Sequence, residues 1–183
     1  MKRKLSTKQI NKRAAKIKMV LTDVDGVLTD TGVYYSSKGE EMKRYSIRDG
    51  MGMERLRKVV GVETGIITRE NTEIVSTRAK KLKIVELHMG SMEKEKTLEE
   101  ILIRKNLTRE EVAYIGDDTN DLEIMEAVGL SACPHDATIF AKKIADVILP
   151  SNGGNGAFRD LAELIIDAKL KSGKAKGLKN EQN

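Results

Sequence analysis

Apolar positions along the chain fall into short runs that alternate with amphipathic stretches. Met19-Val20-Leu21 is too short for a helix and branched enough for a buried strand, over about Lys18 to Thr22. Val33-Tyr34-Tyr35 and Glu40 to Tyr45 alternate polar and apolar around Ser36-Ser37-Lys38-Gly39, which predicts a β-hairpin. Ile47 to Gly52 reads as a polar, glycine-containing loop. Leu56, Val59 and Val60 are then the stripe of a helix from about Met53 to Val60, stopped by Gly61. Val62 to Thr68 is a second strand, Thr72 to Leu82 a helix, Ile84 to Leu87 a third strand, and Met92 to Lys105 a charged helix burying Leu98, Ile101 and Leu102. Thr108-x-x-Glu111 is a capping box that opens at most one turn. Val112 to Gly116 is a fourth strand. After it come a helix at Leu122 to Val128, a strand at Leu130 to Ala132, a helix at Thr138 to Ile144 and a strand at Val147 to Leu149. A loop from Pro150 to Gly156 leads into the last helix, about Phe158 to Lys171.

Strands alternating with helices predict an α/β fold: a doubly wound, Rossmann-like parallel sheet covered on both faces, with the hairpin inserted after the first strand. No period of 20–50 residues repeats, which excludes a solenoid. A chain of 183 residues suits one domain. The expected organisation is a basic N-terminal arm at 1–16, a folded domain at 17–171 and a basic C-terminal tail at 172–183. Ile10, Ala14 and Ile17 have helical spacing, so the arm is either a short basic helix or frayed.

Composition changes this picture in three ways. With two Phe, four Tyr and no Trp, the core must be Val, Ile, Leu and Met. The two ends, 1–18 and 167–183, carry +8 and +3, so a net charge of +5 leaves the body at −6. An acidic, aromatic-poor body points away from nucleic acid and towards solvated or subunit-contacting ends. The single cysteine, Cys133, forms no internal disulfide and reads as a packed or surface thiol. The N-terminus has no long apolar run, so neither a signal peptide nor a membrane span is expected, and the cytoplasm is the expected location.

Four polar sets fall at the carboxyl ends of predicted strands: Asp23 with Asp25, Thr68, His88 to Lys94, and Asp117 to Asp121. In a doubly wound sheet such ends converge on one crevice. Two carboxylates one residue apart repel unless a cation or proton offsets them, and a break at Gly26 lets both face one site. Carboxylates without cysteine or a spaced histidine pair favour a hard cation, most simply Mg²⁺, which is typical of phosphate chemistry. Thr68 can hydrogen-bond a phosphoryl oxygen, and a lysine can neutralise its charge.

These residues carry a resemblance. Asp23-Val-Asp25-Gly26-Val-Leu-Thr29, Ile67-Thr68, Lys94 and Gly116-Asp117-Asp118-Thr-Asn120-Asp121 match, in order and spacing, the four motifs of the haloacid dehalogenase (HAD) superfamily of phosphohydrolases. More narrowly, the chain resembles the 3-deoxy-D-manno-octulosonate (KDO) 8-phosphate phosphatase group over about residues 17–168. The hairpin, Arg48-Asp49-Gly50, Tyr114-Ile-Gly-Asp-Asp, Pro134-x-Asp136-Ala137 and Gly153-Gly154-Asn-Gly156-Ala157-Phe-Arg159 mark it. The resemblance implies that Asp23 is the nucleophile that forms an aspartyl-phosphate and that Asp25 is the acid/base. It implies Mg²⁺ on Asp23, the main-chain carbonyl of Asp25, and Asp117. Thr68 and Lys94 then hold the phosphoryl group, and Asn120 and Asp121 support Lys94 and the metal. It further implies no cap domain, a homotetramer joined through the hairpins, a sugar acid phosphate as substrate, and a Gly153 to Arg159 segment that moves or reaches the substrate. Arg48, Asp49 and Gly50 are expected at the substrate.

The chain departs from the octulosonate pattern in places. Those enzymes usually have Gly-Arg after the threonine, and this chain has Arg69-Glu70. Where some carry another arginine, it has Glu54. Glu70, Arg78 and Lys81 resemble instead the branch acting on nine-carbon nonulosonate 9-phosphates, related to sialic acid. Substrate contact is expected at all three. From another functional class, the alternative is a HAD-fold oligomerisation or regulatory module, as in domains fused to CMP-sialate synthetases. Mg²⁺-dependent hydrolysis of a generic phosphate ester separates the two.

Overall fold

The computed structural model describes residues 5–173; residues 1–4 and 174–183 of the two basic ends lie outside the described residues. In chain order the elements are α1 (Thr7–Ala14), β1 (Met19–Thr22), β2 (Thr29–Ser36), β3 (Gly39–Tyr45), α2 (Ile47–Val60), β4 (Glu63–Ile67) and α3 (Glu73–Leu82). They continue with β5 (Glu86–His88), α4 (Lys94–Lys105), β6 (Val112–Ile115), α5 (Leu122–Ala127), β7 (Leu130–Cys133), α6 (Ile139–Ile144), β8 (Val147–Ile148) and α7 (Ala157–Lys171).

Six strands form one sheet in the order β5-β4-β1-β6-β7-β8, and every pairing in it is parallel. The chain winds from β1 through β4 to β5 on one side. It then returns to β6 and runs outward through β7 to β8. The direction therefore reverses at β1, between β4 and β6, where open sheets of this kind bind ligands.

Alternation along β1 and β6 assigns the two faces. Val20, Ala113 and Ile115 join one cluster with Met53, Leu56, Val75, Phe158, Leu161 and Ile165, from α2, α3 and α7. Met19, Leu21, Val112 and Tyr114 join the other with Leu98, Ile101, Ile124 and Ala141, from α4, α5 and α6. This is the doubly wound sheet the pattern predicts. The hairpin is present as the separate two-stranded sheet β2–β3. No further domain is inserted between β1 and α2.

The amino-terminal helix forms rather than frays. Ser6 and Gln9 close a capping box. Ala14, Ala15 and Ile17 are buried in the core, and α1 lies against α7.

Two boundaries differ most from expectation. The hairpin begins at Thr29, before its alternating segment. Helix α2 begins at Ile47 rather than about Met53, because Ser46 caps it by accepting hydrogen bonds from Arg48 N and Asp49 N.

Candidate active site

The site assembles at the carboxyl ends of β1, β4 and β6. Asp23 follows β1 directly and is 5 % exposed. Its amide donates to Ile115 O at 3.0 Å, which continues the β1–β6 ladder one residue past the strand. The chain turns at Gly26, where φ is +78°. A side chain there is excluded, since a Cβ would lie 2.0 Å from Asp117 Oδ2. The turn thus brings the β1 and β6 ends into contact.

Lys94 opens α4 and is 3 % exposed. Its ammonium lies 2.8 Å from Asp23 Oδ2, 2.6 Å from Asp121 Oδ1 and 3.2 Å from the Tyr114 hydroxyl. Lys96, two residues on, is exposed and paired with Glu93 instead. Asp121 is fully buried. Its Oδ1 accepts from Tyr114 at 2.7 Å, and its Oδ2 accepts from Asp117 N at 2.9 Å and Asp118 N at 3.4 Å. Thr68 is 1 % exposed, at the end of β4, and its amide donates to His88 O at 2.9 Å.

Electrostatically the site is short of positive charge. Burial, and then the charge of Asp121, push the Asp23 carboxyl up to about 6 despite Lys94. Burial and the charges of Asp121, Asp23 and Asp118 push Asp117 up to about 8. Carboxylate oxygens of Asp23, Asp117 and Asp121 lie within 4.8 Å of one another. Asp121 already spends both oxygens on Lys94, Tyr114 and the loop amides, which leaves Asp23 and Asp117 as the open donors. Hard oxygen donors, an excess of negative charge and partial exposure of Asp117 fit Mg²⁺. The Cys133 thiol plays no part: it is buried and pushed up to about 12.

A cleft of about 350 Å³ lies over these residues, lined by Asp23, Asp25, Thr68, Asp117 and Asn120 with Thr31, Arg69, Glu70 and Asp118. Thr31 adopts φ +66°, an unusual value for a β-branched residue, at an irregularity in the hairpin pairing. Of the remaining expected substrate contacts, Arg78 and Lys81 line an adjoining cavity of about 440 Å³ with Lys43 and Tyr45. Arg78 also donates to Ser46 O at 2.9 Å and stacks over Tyr45 at 5.3 Å. Arg48 is exposed in the first turn of α2.

Asp49 and Gly50 belong to the scaffold in this structure rather than to the cleft. The buried Asp49 carboxylate accepts from Gly156 N at 3.2 Å and Arg159 N at 3.0 Å, at the amino end of α7. Gly50 packs where a Cβ would meet Leu82 at 2.9 Å. The Gly153 to Arg159 segment is likewise packed behind the β1 loop and does not line the cleft. Gly154 N donates to Val27 O at 2.9 Å and Gly153 N to Asp136 at 2.9 Å.

Two side chains hold positions at the site for which the sequence assigned no role. The buried Tyr114 hydroxyl accepts from Lys94 and donates to Asp121, and burial keeps it protonated. A tyrosine within an apolar strand was the available signal, since a buried hydroxyl needs a partner. Lys43, on β3, places its ammonium 2.8 Å from both oxygens of Asp25. Period-2 alternation puts Lys43 on the same face as Tyr45, which packs against the core.

Sheet edge, acid cluster and buried lysine together fit phosphate chemistry assisted by a hard divalent cation. A description of haloacid dehalogenase-like hydrolases matches residues 58–161, and the chain belongs to that family. It is 37 % identical over 156 residues to the 3-deoxy-D-manno-octulosonate 8-phosphate phosphatase KdsC of Haemophilus influenzae, covering 85 % of this chain and 86 % of the relative. The Salmonella typhi protein of the same name is 37 % identical over 165 residues, with 90 % and 87 % covered. Among solved structures, the cobalt-bound Haemophilus influenzae phosphatase superposes with a TM-score of 0.84 at 36 % identity, over 87 % of this chain and 93 % of that one. The Moraxella catarrhalis enzyme, solved with magnesium, phosphate and KDO, gives a TM-score of 0.87 at 31 % identity, over 92 % and 97 %.

Proposed function

We propose that this phosphatase hydrolyses the phosphate monoester of a 2-keto-3-deoxy sugar acid through an aspartyl-phosphate. The observation that carries the reading is the pairing of Asp23 with Lys94 at 2.8 Å, beside Thr68 and Asp117 at the switch point of the sheet. Asp23 attacks phosphorus while Lys94 and the Thr68 hydroxyl hold the phosphoryl oxygens. Asp25 gives its proton to the departing sugar oxygen and then takes one from the water that hydrolyses the intermediate. Asp23, the Asp25 carbonyl and Asp117 would hold Mg²⁺, which when bound would supply positive charge to the phosphoryl group. Asn120 and Asp121 support Lys94 and the metal ligands.

The relatives' names support KDO 8-phosphate as the substrate. A second reading, a nine-carbon nonulosonate 9-phosphate, is favoured by Glu70 at the cleft and Lys81 in the adjoining cavity. A carboxylate at Glu70 repels a sugar-acid carboxylate and accepts hydrogen bonds from hydroxyls. A panel of the two ester types decides between them, because the preferred one shows the higher kcat/KM.

Asp23→Asn tests the chemistry. It is expected to lose about three orders of magnitude or more in kcat with an unchanged circular dichroism spectrum. Full activity in that variant would remove Asp23 as the nucleophile. Assembly through the hairpins is part of the same proposal, with subunits helping to close each other's clefts.

A further inference from the structure

The two aspartates of the β1 loop are held by different parts of the molecule. Asp23 is fixed by the body: Lys94 of α4 binds one oxygen and Val24 N donates to the other at 2.7 Å. Asp25 is fixed by the hairpin. Thr29, which opens β2, donates to Asp25 Oδ1 at 3.3 Å, and Lys43 of β3 binds both oxygens at 2.8 Å. Among the described residues, no other side chain hydrogen-bonds this carboxylate.

The Lys43 contact is more than a surface pair. The lysine side chain is 1 % exposed, whereas that of Asp25 is 32 % exposed and faces the cleft. Burying an ammonium is costly unless it is paired, so its position needs a reason. Of its other acidic neighbours, Glu40 and Glu70, the first lies at 3.5 Å. Two equal contacts from one donor set the rotation of the carboxylate, which a single contact leaves free.

We propose that Lys43 is a positioning residue: it aims the Asp25 carboxyl at the departing oxygen, and so makes the seating of the hairpin a condition of turnover. This rests on the reading of Asp25 as the acid/base. In the first half-reaction an Asp23 oxygen bonds to phosphorus as the phosphorus–oxygen ester bond breaks. The bonding pair leaves with the sugar oxygen, which takes the proton of Asp25. The carboxylate left behind lies against the Lys43 ammonium. A misaimed Asp25 slows this step only when the departing oxygen needs a proton.

Leaving-group dependence therefore tests the assignment. Single-turnover rates are measured with excess enzyme and saturating Mg²⁺. The esters are KDO 8-phosphate, which releases an alkoxide-type oxygen, and p-nitrophenyl phosphate, whose phenolate leaves without a proton. Lys43→Gln is expected to release the sugar acid about 100-fold more slowly. Release of p-nitrophenolate should stay within about twofold of the parent, and half-saturation by the sugar ester should be unchanged. Lys43→Arg, which restores a charged donor, should recover at least about tenfold of the loss. Lys43→Met, which keeps the apolar stem, repeats the comparison if the glutamine variant does not fold. Equal slowing of both esters, or slowing of neither, overturns the assignment. Asp25→Asn is run in parallel. If it separates the two esters and Lys43→Gln does not, only the role of Lys43 falls. If it treats them alike, the acid/base reading falls and the assignment with it.

Discussion

Asp23 and Asp117 are both costly to ionise, and the cost has a sign that can be measured. Both carboxyls are raised in the folded chain, Asp23 to about 6 and Asp117 to about 8, by burial first and by neighbouring acids second. An acid raised on folding binds its proton more tightly in the native state than in the unfolded chain. Stability is therefore highest below the unfolded value and falls as pH rises through the folded one. The metal-free protein is expected to lose thermal stability between pH 5 and pH 8.5, and Mg²⁺ should reverse most of that loss. Its stabilising effect should accordingly be larger at pH 8.5 than at pH 6, because binding needs the deprotonated acids. Calorimetry with and without Mg²⁺ at the two pH values checks this. Asp117→Asn sharpens the test: it removes one repelling charge, so its metal-free Tm at pH 8.5 should equal or exceed the parent's while its Mg²⁺ shift shrinks. These acids were legible in the sequence because a carboxylate just beyond an apolar run has one place to go, the open edge of the sheet. Lys43 was not, because its role depends on which way the hairpin folds back, and neither alternation nor spacing along one strand contains that angle.

At the scale of elements, the junction of α2 with α7 shows how local signals mislead. Gly50 and Gly52 lower helix propensity and make Ile47 to Gly52 look like a loop. The structure forms a helix there because contact between elements outweighs propensity. A Cβ at Gly52 would lie 3.1 Å from Arg159 Cα, so the glycine lets the two helices touch. Ser46 supplies the cap, and Asp49 crosses to the first amides of α7. Asp49 was legible as part of a marker motif, but an acid there signals either ligand or scaffold, and its partners on α7 are what the sequence does not contain. Asp49→Ala leaves two amides without their acceptor and should destabilise the fold by about 2 kcal/mol. That corresponds to a fall in Tm of roughly 4–8 °C for a chain of this size. Asp49→Asn, which keeps an acceptor, should lose less than half as much. Thermal unfolding of the two variants at one pH separates them, and equal losses would show that the charge matters and the acceptor does not.

At the scale of the whole molecule, the hairpin carries apolar side chains into solvent. Tyr34, Tyr35 and Met42 on the hairpin are 59 %, 72 % and 58 % exposed, and Ile47 beside it is 83 % exposed. No helix among the described residues is long and apolar enough to cross a membrane. A protruding hairpin with aromatic residues on its surface is suited to pairing with other chains. The expected state is therefore a homotetramer, and sedimentation at micromolar concentration should give about four times the 20.3 kDa chain mass. A parent that sediments as a monomer would sink the idea. Tyr35→Glu combined with Met42→Glu should dissociate the assembly without touching the core, since neither side chain is buried. The consequence for chemistry follows from the grip of Lys43 on Asp25. If neighbouring subunits hold each hairpin down, dissociation loosens that grip. The dissociated variant should then lose sugar-ester turnover more steeply than first-turnover release of p-nitrophenolate. Dissociation with both rates intact would mean that each chain seats its own hairpin, and would confine assembly to stability.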